Sequence, residues 1–201
     1  MYIEQFVMAY KVEHDRIRAI LPDGYVSLRP VMRINTEIRQ SENNELLYLE
    51  LNTPVEAEGR RGWLNIGHWD SNDSDISFSR NGSTVTVGSS FINLTYTGTE
   101  ISGGCPAEKD NDGCFYICKD ETVFVPAREI KEKKEFCDCE FAWLFSENDA
   151  KGRSIGKTLP AFREEPENTY EKKAFTPENA AALPCQQVLG AYIVKFTEAV
   201  S

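Results

Sequence analysis

The clearest structural pattern in this chain is the stretch VMRINTEIR at residues 31–39. A period of two places Met32, Ile34 and Ile38 on one face of an extended strand. The residues between them, Arg33, Asn35 and Glu37, fall on the opposite face. The stretch therefore predicts a β-strand with one apolar and one polar side.

Similar short patterns recur along the chain and predict a protein built mainly of strands. Residues 77–87 indicate a β-hairpin, because Asn81-Gly82 accepts the positive φ that a type I′ turn requires. The further strands are expected at 3–11, 45–55, 63–69, 90–97, 114–118, 122–125, 136–145 and 188–196.

Two short helices complete the expected elements. Ile17, Ile20 and Leu21 share one helical face and predict a helix over 15–21, with His14 or Asp15 capping its first turn. Thr176 followed by Pro177 begins a second helix, which we expect to run to Ala182.

The number and spacing of the strands predict the fold class. We expect a mainly β (α+β) protein, a closed antiparallel β-barrel with two short helices, forming a single domain over residues 1–201. A closed sheet encloses a lumen lined by alternate residues of each strand, which suits a small ligand.

Composition excludes several classes of partner. The net charge of −10 argues against nucleic acid and against an anionic membrane surface, since both need clustered Lys and Arg. No apolar stretch is long enough to span a bilayer, and residues 1–5 do not resemble a signal peptide. We therefore expect a cytoplasmic protein whose six cysteines are reduced.

Several segments resemble the acetoacetate decarboxylase family. One match runs from Phe6 to Ile38 and includes Tyr10-Lys11, Asp15, Arg18, Leu21-Pro22, Pro30 and Arg33. A second joins Tyr48-Leu49-Glu50 to Gly59-Arg60. The resemblance implies a cone-like β-barrel with a central pocket.

The resemblance also implies two adjacent lysines shortly after a Gly-Arg-Glu sequence, one of which forms a Schiff base with a keto acid. In this chain Arg61 stands at the place of that glutamate, and residues 63–69 (WLNIGHW) occupy the region of the lysines. No lysine occurs between Lys11 and Lys109. The pair Lys133-Lys134 lies in a charged run, where neighbouring carboxylates would keep both lysines protonated.

The candidate ligand-binding residues form two groups. Arg33, Asn35 and Glu37 share a strand face that is either exposed to solvent or directed at the pocket, as the resemblance suggests. The second group, Arg60, Trp63 and His68, is either a loop with surface arginines or part of the same pocket. In a simple small barrel the apolar face of strand 31–39 would be the interior. A polar lumen requires the helix 15–21 or the loops around 151–173 to cover that apolar face.

No metal and no cofactor are expected. Cys137 and Cys139 share a strand face and Cys114 and Cys118 could lie nearby, but neither spacing fits a zinc knuckle. Asp110-Asn111-Asp112-Gly113 lacks the distal glutamate of a calcium loop. The sequence contains no nucleophile-elbow, P-loop or dinucleotide motif.

Three functions follow from these observations, and the sequence leaves all three open. The first is a small-molecule binding protein, for a carboxylate or keto acid, that forms no Schiff base. The second is an enzyme, of lyase type, that uses Glu37, Arg60 and His68 as acid–base residues. The third is a structural or regulatory β-domain without a ligand. The sequence also leaves open whether the chain forms a homo-oligomer.

Overall fold

The computed structural model describes residues 1–106, 112–119, 121–145, 154–155 and 171–198. Within these residues the chain is mainly β, with two short helices, as predicted. The helices are α1 (His14–Ile20) and α2 (Pro177–Ala181). The strands are β1 (Tyr2–Lys11), β2 (Val26–Ser27), β3 (Val31–Gln40), β4 (Glu45–Ala57), β5 (Arg60–Asp70), β6 (Ser77–Asn81), β7 (Thr84–Gly88), β8 (Ile92–Ser102), β9 (Gly113–Cys118), β10 (Glu121–Pro126), β11 (Glu135–Trp143), β12 (Ser154–Ile155) and β13 (Gln187–Thr197).

The described strands form one sheet in the order β10-β9-β5-β4-β3-β1-β13-β11-β8-β7-β6, and β2 and β12 pair with β4 and β11 beside this path. Every pairing is antiparallel except that of β5 with β9. The predicted closure is not confirmed. Strands β10 and β6 end the hydrogen-bonded path and do not pair with each other, so the sheet is open among the described residues.

The apolar face of β3 lies in the main hydrophobic core. Met32, Ile34 and Ile38 are fully buried there, together with apolar residues of β1, β4, β7, β8, β11 and β13. Ile17 and Ile20 of α1 and two alanines of α2 pack into the same core. The sheet therefore wraps around its apolar face, and helix α1 contributes to that core, as its apolar stripe requires.

The polar face of β3 is buried as well. Residues 31–38 are all buried, although a strand at a solvated surface would bury only every second residue. The hairpin formed by β9 and β10 and the segment 126–130 lie over this side, since Tyr116 and Arg128 bond to side chains of β4 and β3. The two faces of one strand thus lie in two different interiors.

Two local predictions need correction. Asn81 pairs with Thr84, so the hairpin loop is Gly82-Ser83. Gly82 alone has positive φ, 59°, which fits a type II′ turn with glycine first and not a type I′ turn at Asn81-Gly82. Helix α1 is capped by Glu13, whose carboxylate accepts from Asp15 N at 3.2 Å. The Thr176 cap of α2 is present, with its hydroxyl accepting from Asn179 N at 3.2 Å.

No helix in the described ranges combines the length and the apolarity needed to cross a bilayer. Of the loop expected at 151–173, only residues 154–155 and 171–173 belong to the described part. Residues 110 and 111 of the calcium-like stretch also lie outside it.

Candidate functional site

The polar face of β3 continues across its neighbours because of the strand register. Asn35 lies opposite Glu50 of β4, and Glu37 lies opposite Tyr48. On the other side Glu37 pairs with Gln5 of β1. Antiparallel partners present their side chains on the same face, so these residues form one continuous polar patch.

Glu37 is the most buried carboxylate of this patch, with 0% exposure. Arg39 Nε donates to its Oε2 at 2.8 Å, and the guanidinium of Arg128 donates to its Oε1. Gln5 Nε2 and Asn35 Nδ2 add longer bonds of 3.3 and 3.4 Å to the same Oε1. Two guanidiniums therefore compensate this buried charge, as a desolvated carboxylate requires.

Glu50 is held by neutral donors. The hydroxyls of Tyr48 and Tyr116 both donate to its Oε1 at 2.7 Å, and the amides of Asn35 and Asn52 donate to its Oε2 at 3.4 and 3.3 Å. Burial raises the pKa of Glu50, but these hydrogen bonds and the charge of Arg33 outweigh it, so the pKa lies below its usual value. Glu50 is therefore ionised at neutral pH.

The two tyrosines shift in the opposite direction. Burial, followed by the negative charge of Glu50, raises the pKa of both Tyr48 and Tyr116 well above the usual range. Both phenols stay protonated and act as hydrogen-bond donors. The Glu50 cluster is thus a fixed charge and not a group that exchanges its proton near pH 7.

Arg33 is held by an aromatic ring. Its guanidinium carbon lies 4.0 Å from the ring centroid of Trp63, and only 9% of the residue is exposed. Trp63 itself is 4% exposed, so the ring is a rigid support. This stacking fixes the plane of the guanidinium, which is the group that binds carboxylates with two parallel hydrogen bonds.

A cavity of about 440 Å³ lies between this patch and the β9–β10 side. Strands β1, β3, β4 and β9 contribute most of its polar residues, and Arg128 and Glu198 add two charged ones, whereas Val125, Ala127 and Ile130 are apolar. The described residues that line it are Met1, Gln5, Arg33, Asn35, Arg39, Tyr48, Glu50, Pro106, Cys114, Tyr116, Val125, Pro126, Ala127, Arg128, Ile130, Tyr192 and Glu198. Its volume is that of a typical small-molecule site.

Comparison with known proteins identifies the fold. No family model and no curated protein matches this chain. An acetoacetate decarboxylase structure matches with a TM-score of 0.59 and 11% identity, over 96% of this chain and 84% of the other. An acetoacetate decarboxylase-like enzyme of Sphingomonas wittichii RW1 matches with a TM-score of 0.55 and 10% identity, over 96% and 87%. The chain has the acetoacetate decarboxylase-like fold.

A third match is to a structure with a bound ligand. The enduracididine biosynthesis enzyme MppR, complexed with pyruvate, gives a TM-score of 0.54 at 12% identity, over 96% of this chain and 84% of that one. The family predicted from residues 6–38 and 48–60 is confirmed at the level of its fold. Identities this low carry no information about which residues of the acetoacetate decarboxylase-like fold act here.

The structure brings together four of the six residues proposed from the sequence. Arg33 and Asn35 line the cavity, Trp63 lies behind Arg33, and Glu37 binds two arginines of the cavity wall. His68 stands nearby, 6.2 Å from the ring centroids of both Tyr48 and Tyr116. Its Nδ1 is bonded to Asn65 Oδ1 at 3.1 Å, and the residue is exposed.

Arg60 does not join the group. It begins β5, directly after the turn at Glu58-Gly59, where φ is positive at both residues. Its guanidinium lies over Phe124, 4.8 Å from the ring centroid, and it is absent from the cavity wall. The sequence predicted this strand only from Trp63, so Arg60 fell in a loop whose path the sequence does not fix. Because β5 begins at Arg60, and a strand advances about 3.3 Å per residue, Arg60 lies about 26 Å from His68 along the strand.

The cysteines and lysines are distributed as follows. Cys137, Cys139 and Cys185 belong to the main core, whereas Cys114 lines the cavity, so the cysteines of β9 and β11 do not meet. Burial raises the pKa of Cys137 to about 12. None of the described lining residues is a lysine. Lys133 is exposed, and Lys134 Nζ lies over the rings of Phe136 and Tyr192.

The sequence analysis missed several residues of the site, among them Tyr48, Glu50, Tyr116 and Arg128. Tyr48 and Glu50 had a usable signal: pairing Gln40 with Glu45 across the turn at 41–44 sets the register that places them opposite Glu37 and Asn35. Tyr116 and Arg128 had none, because their partners lie 66 and 91 positions away in the chain. Arg128 begins the charged run of residues 128–135 that also contains Lys133-Lys134.

Proposed function

We propose that this chain binds a small carboxylic acid in the cavity, through Arg33, and that it forms no Schiff base. The observation that carries the proposal is a buried guanidinium fixed on Trp63 at the wall of a cavity of about 440 Å³. A stacked, desolvated arginine loses little freedom when it binds, and in a site of low dielectric its bond to a carboxylate is strong.

The surrounding groups support this role for Arg33. Glu37 is compensated by Arg39 and Arg128, and Glu50 accepts from two tyrosines and two asparagines. The carboxylates of the patch therefore complete their hydrogen bonds with other donors. A ligand carboxylate at Arg33 would add to this network and need not displace the donors of Glu37 and Glu50.

Binding without imine chemistry agrees with the described residues of the cavity. A Schiff base needs a neutral amine in an apolar setting, and the described lining contains no lysine. In MppR the same fold accommodates pyruvate. We infer that here an arginine takes the place of the imine in holding the acid.

The enzyme alternative has weaker support. General acid–base catalysis works best with a pKa near the working pH. The pKa of Glu50 is lowered and those of Tyr48 and Tyr116 are raised, so all three move away from neutrality. Arg60, which that hypothesis requires, lies over Phe124.

The test is a binding titration with matched arginine variants. Pyruvate and acetoacetate are titrated into the wild type, Arg33→Ala and Arg60→Ala, with Kd measured by calorimetry or ligand-observed NMR. Removing one partner of a buried charge pair costs at least about 2 kcal/mol, so Arg33→Ala should weaken binding by roughly thirtyfold or more. Arg60→Ala should leave Kd unchanged.

Two further measurements complete the test. Thermal unfolding of Arg33→Ala establishes that the variant is folded. Arg33→Lys separates the effect of the positive charge from that of the planar guanidinium, because lysine cannot bind a carboxylate in bidentate fashion. Borohydride treatment with each acid should add no mass. Equal weakening by Arg33→Ala and Arg60→Ala, or a reduced covalent adduct, would overturn the proposal.

A further inference from the structure

The cavity has two chemically different sides. Arg33, Asn35 and Glu50 form its polar wall, whereas Val125, Ala127 and Ile130 line it from the segment that follows β9. Val125 pairs with Cys114 across the β9–β10 hairpin, and both line the cavity. The first side therefore offers charges and hydrogen bonds, and the second offers these apolar side chains beside Arg128, whose guanidinium binds Glu37.

The apolar side is the open edge of a small hydrophobic cluster. Ile3, Val194 and Phe196 form its buried centre, and Met1, Ile130 and Tyr192 pack against them while remaining partly exposed. These three outer residues also line the cavity. An apolar group in the cavity would extend this cluster and remove its outer members from water.

Val125 also provides apolar surface in the cavity. It lies on the edge strand β10 and is 46% exposed. An exposed valine is unremarkable by itself. Here, however, it lines the same cavity as Ala127 and Ile130, so it adds to the apolar surface available to a ligand.

The volume exceeds what a short acid needs. Cavities of about 300–1,000 Å³ hold drug-sized ligands, and this one measures about 440 Å³. A three-carbon keto acid bound at Arg33 would occupy the polar end and leave the apolar wall in contact with water.

We propose that the ligand is an amphiphilic acid whose carboxylate binds Arg33 and whose apolar tail lies along Val125, Ala127 and Ile130. The proposal rests on the proposed function, because it takes the carboxylate site as given. It adds the class of ligand: acids with a tail of several carbons bind more tightly than pyruvate.

The test is a chain-length series. Pyruvate, 2-oxobutanoate, 2-oxohexanoate and 2-oxooctanoate are titrated into the wild-type chain, and Kd is measured for each. Burial of one CH₂ group improves Kd by up to about fourfold, so we expect a steady gain of two- to fourfold per carbon over the series. Octanamide, which has a similar tail and no carboxylate, should bind far more weakly than 2-oxooctanoate.

A matched pair of valine variants locates the tail. Val123 and Val125 lie two residues apart on β10 and are both 46% exposed, but only Val125 lines the cavity. Val125→Ser should reduce the ratio of the pyruvate and 2-oxooctanoate Kd values about fivefold, because serine removes apolar contact with the tail. Val123→Ser should leave the ratio at its wild-type value. Both sites are exposed, so both variants should fold.

The outcomes separate the two proposals. If pyruvate binds through Arg33 and the series is flat, the amphiphilic ligand is excluded and the carboxylate site stands. The amphiphilic ligand is also excluded, and the carboxylate site stands, if Val123→Ser and Val125→Ser change the ratio of the pyruvate and 2-oxooctanoate Kd values equally. If none of the acids binds, or if octanamide binds as tightly as 2-oxooctanoate, the carboxylate site itself is overturned.

Discussion

The two faces of β3 are equally buried and are built in opposite ways. Met32, Ile34 and Ile38 enter a core of aliphatic and aromatic side chains. One residue away along the strand, Asn35 and Glu37 enter a network of amides, carboxylates and guanidiniums beside a cavity. The same backbone thus separates a filled apolar interior from a polar one.

The two interiors have different consequences for stability. Apolar burial stabilises by about 25 cal/mol for each Å² removed from water. Burial of a charged pair costs a desolvation free energy that its attraction often fails to recover, so a buried ion pair is weak support for stability. The apolar face therefore accounts for the stability of the fold, and burial of the polar face does not.

The largest expected effect comes from the apolar face. Ile34→Ala should lower the free energy of unfolding by about 2–5 kcal/mol, because Ile34 is fully buried and the substitution leaves a cavity. Urea denaturation measures it, and Ile34→Val, with an expected loss of about 0.5–1.5 kcal/mol, is the graded control. A loss below 1 kcal/mol for Ile34→Ala would show that this face is not a close-packed core.

A smaller effect is expected from the polar face. Glu37→Ala leaves Arg39 and Arg128 without their shared carboxylate, and loss of one partner of a buried pair typically costs about 3–5 kcal/mol. Because these arginine side chains are 26% and 35% exposed and can be rehydrated, we expect about 2–3 kcal/mol by urea denaturation.

The control for Glu37→Ala is Glu37→Gln, which keeps the shape of the side chain and one acceptor oxygen and should lose less. If Glu37→Ala proves neutral or stabilising, the buried carboxylate is not needed to compensate the two arginines. The contrast between the faces would then be one of composition alone.

The smallest effect is a pH dependence at Glu50. Its pKa in the folded chain is lowered, and its unfolded value is about 4.3. Ionised Glu50 therefore contributes stability above about pH 4.3, and the contribution is lost as the pH falls through the folded pKa. The difference in unfolding free energy between wild type and Glu50→Gln should be constant from pH 7 to about pH 5 and shrink below that.

Tyr116→Phe sharpens this measurement. It removes one of the hydrogen bonds that lower the pKa of Glu50, so the acid loss of stability should begin at a higher pH than in the wild type. If the difference in unfolding free energy between the wild type and Glu50→Gln stays constant down to pH 3, Glu50 is not a carboxylate whose pKa is lowered in the folded chain.

Short-range patterns in the sequence were enough to predict the local elements and the acetoacetate decarboxylase-like fold. Alternation at residues 31–39 established the strand and the two sets of side chains that share its faces. Thr176 and Pro177 marked the start of α2, and the matches at residues 6–38 and 48–60 indicated the acetoacetate decarboxylase-like fold. These features depend on neighbours a few positions apart, where backbone period and capping chemistry are decisive.

What covers each face of β3 depends on contacts that are present only in the tertiary structure. A period of two tells which side chains share a face but not what packs on it, so an exposed polar face and a buried one have the same sequence pattern. The polar face is buried because Tyr116 bonds to Glu50 and Arg128 bonds to Glu37, across 66 and 91 positions. Such contacts form only when the whole chain has folded, and for the same reason Arg60 could not be excluded from the site by sequence alone.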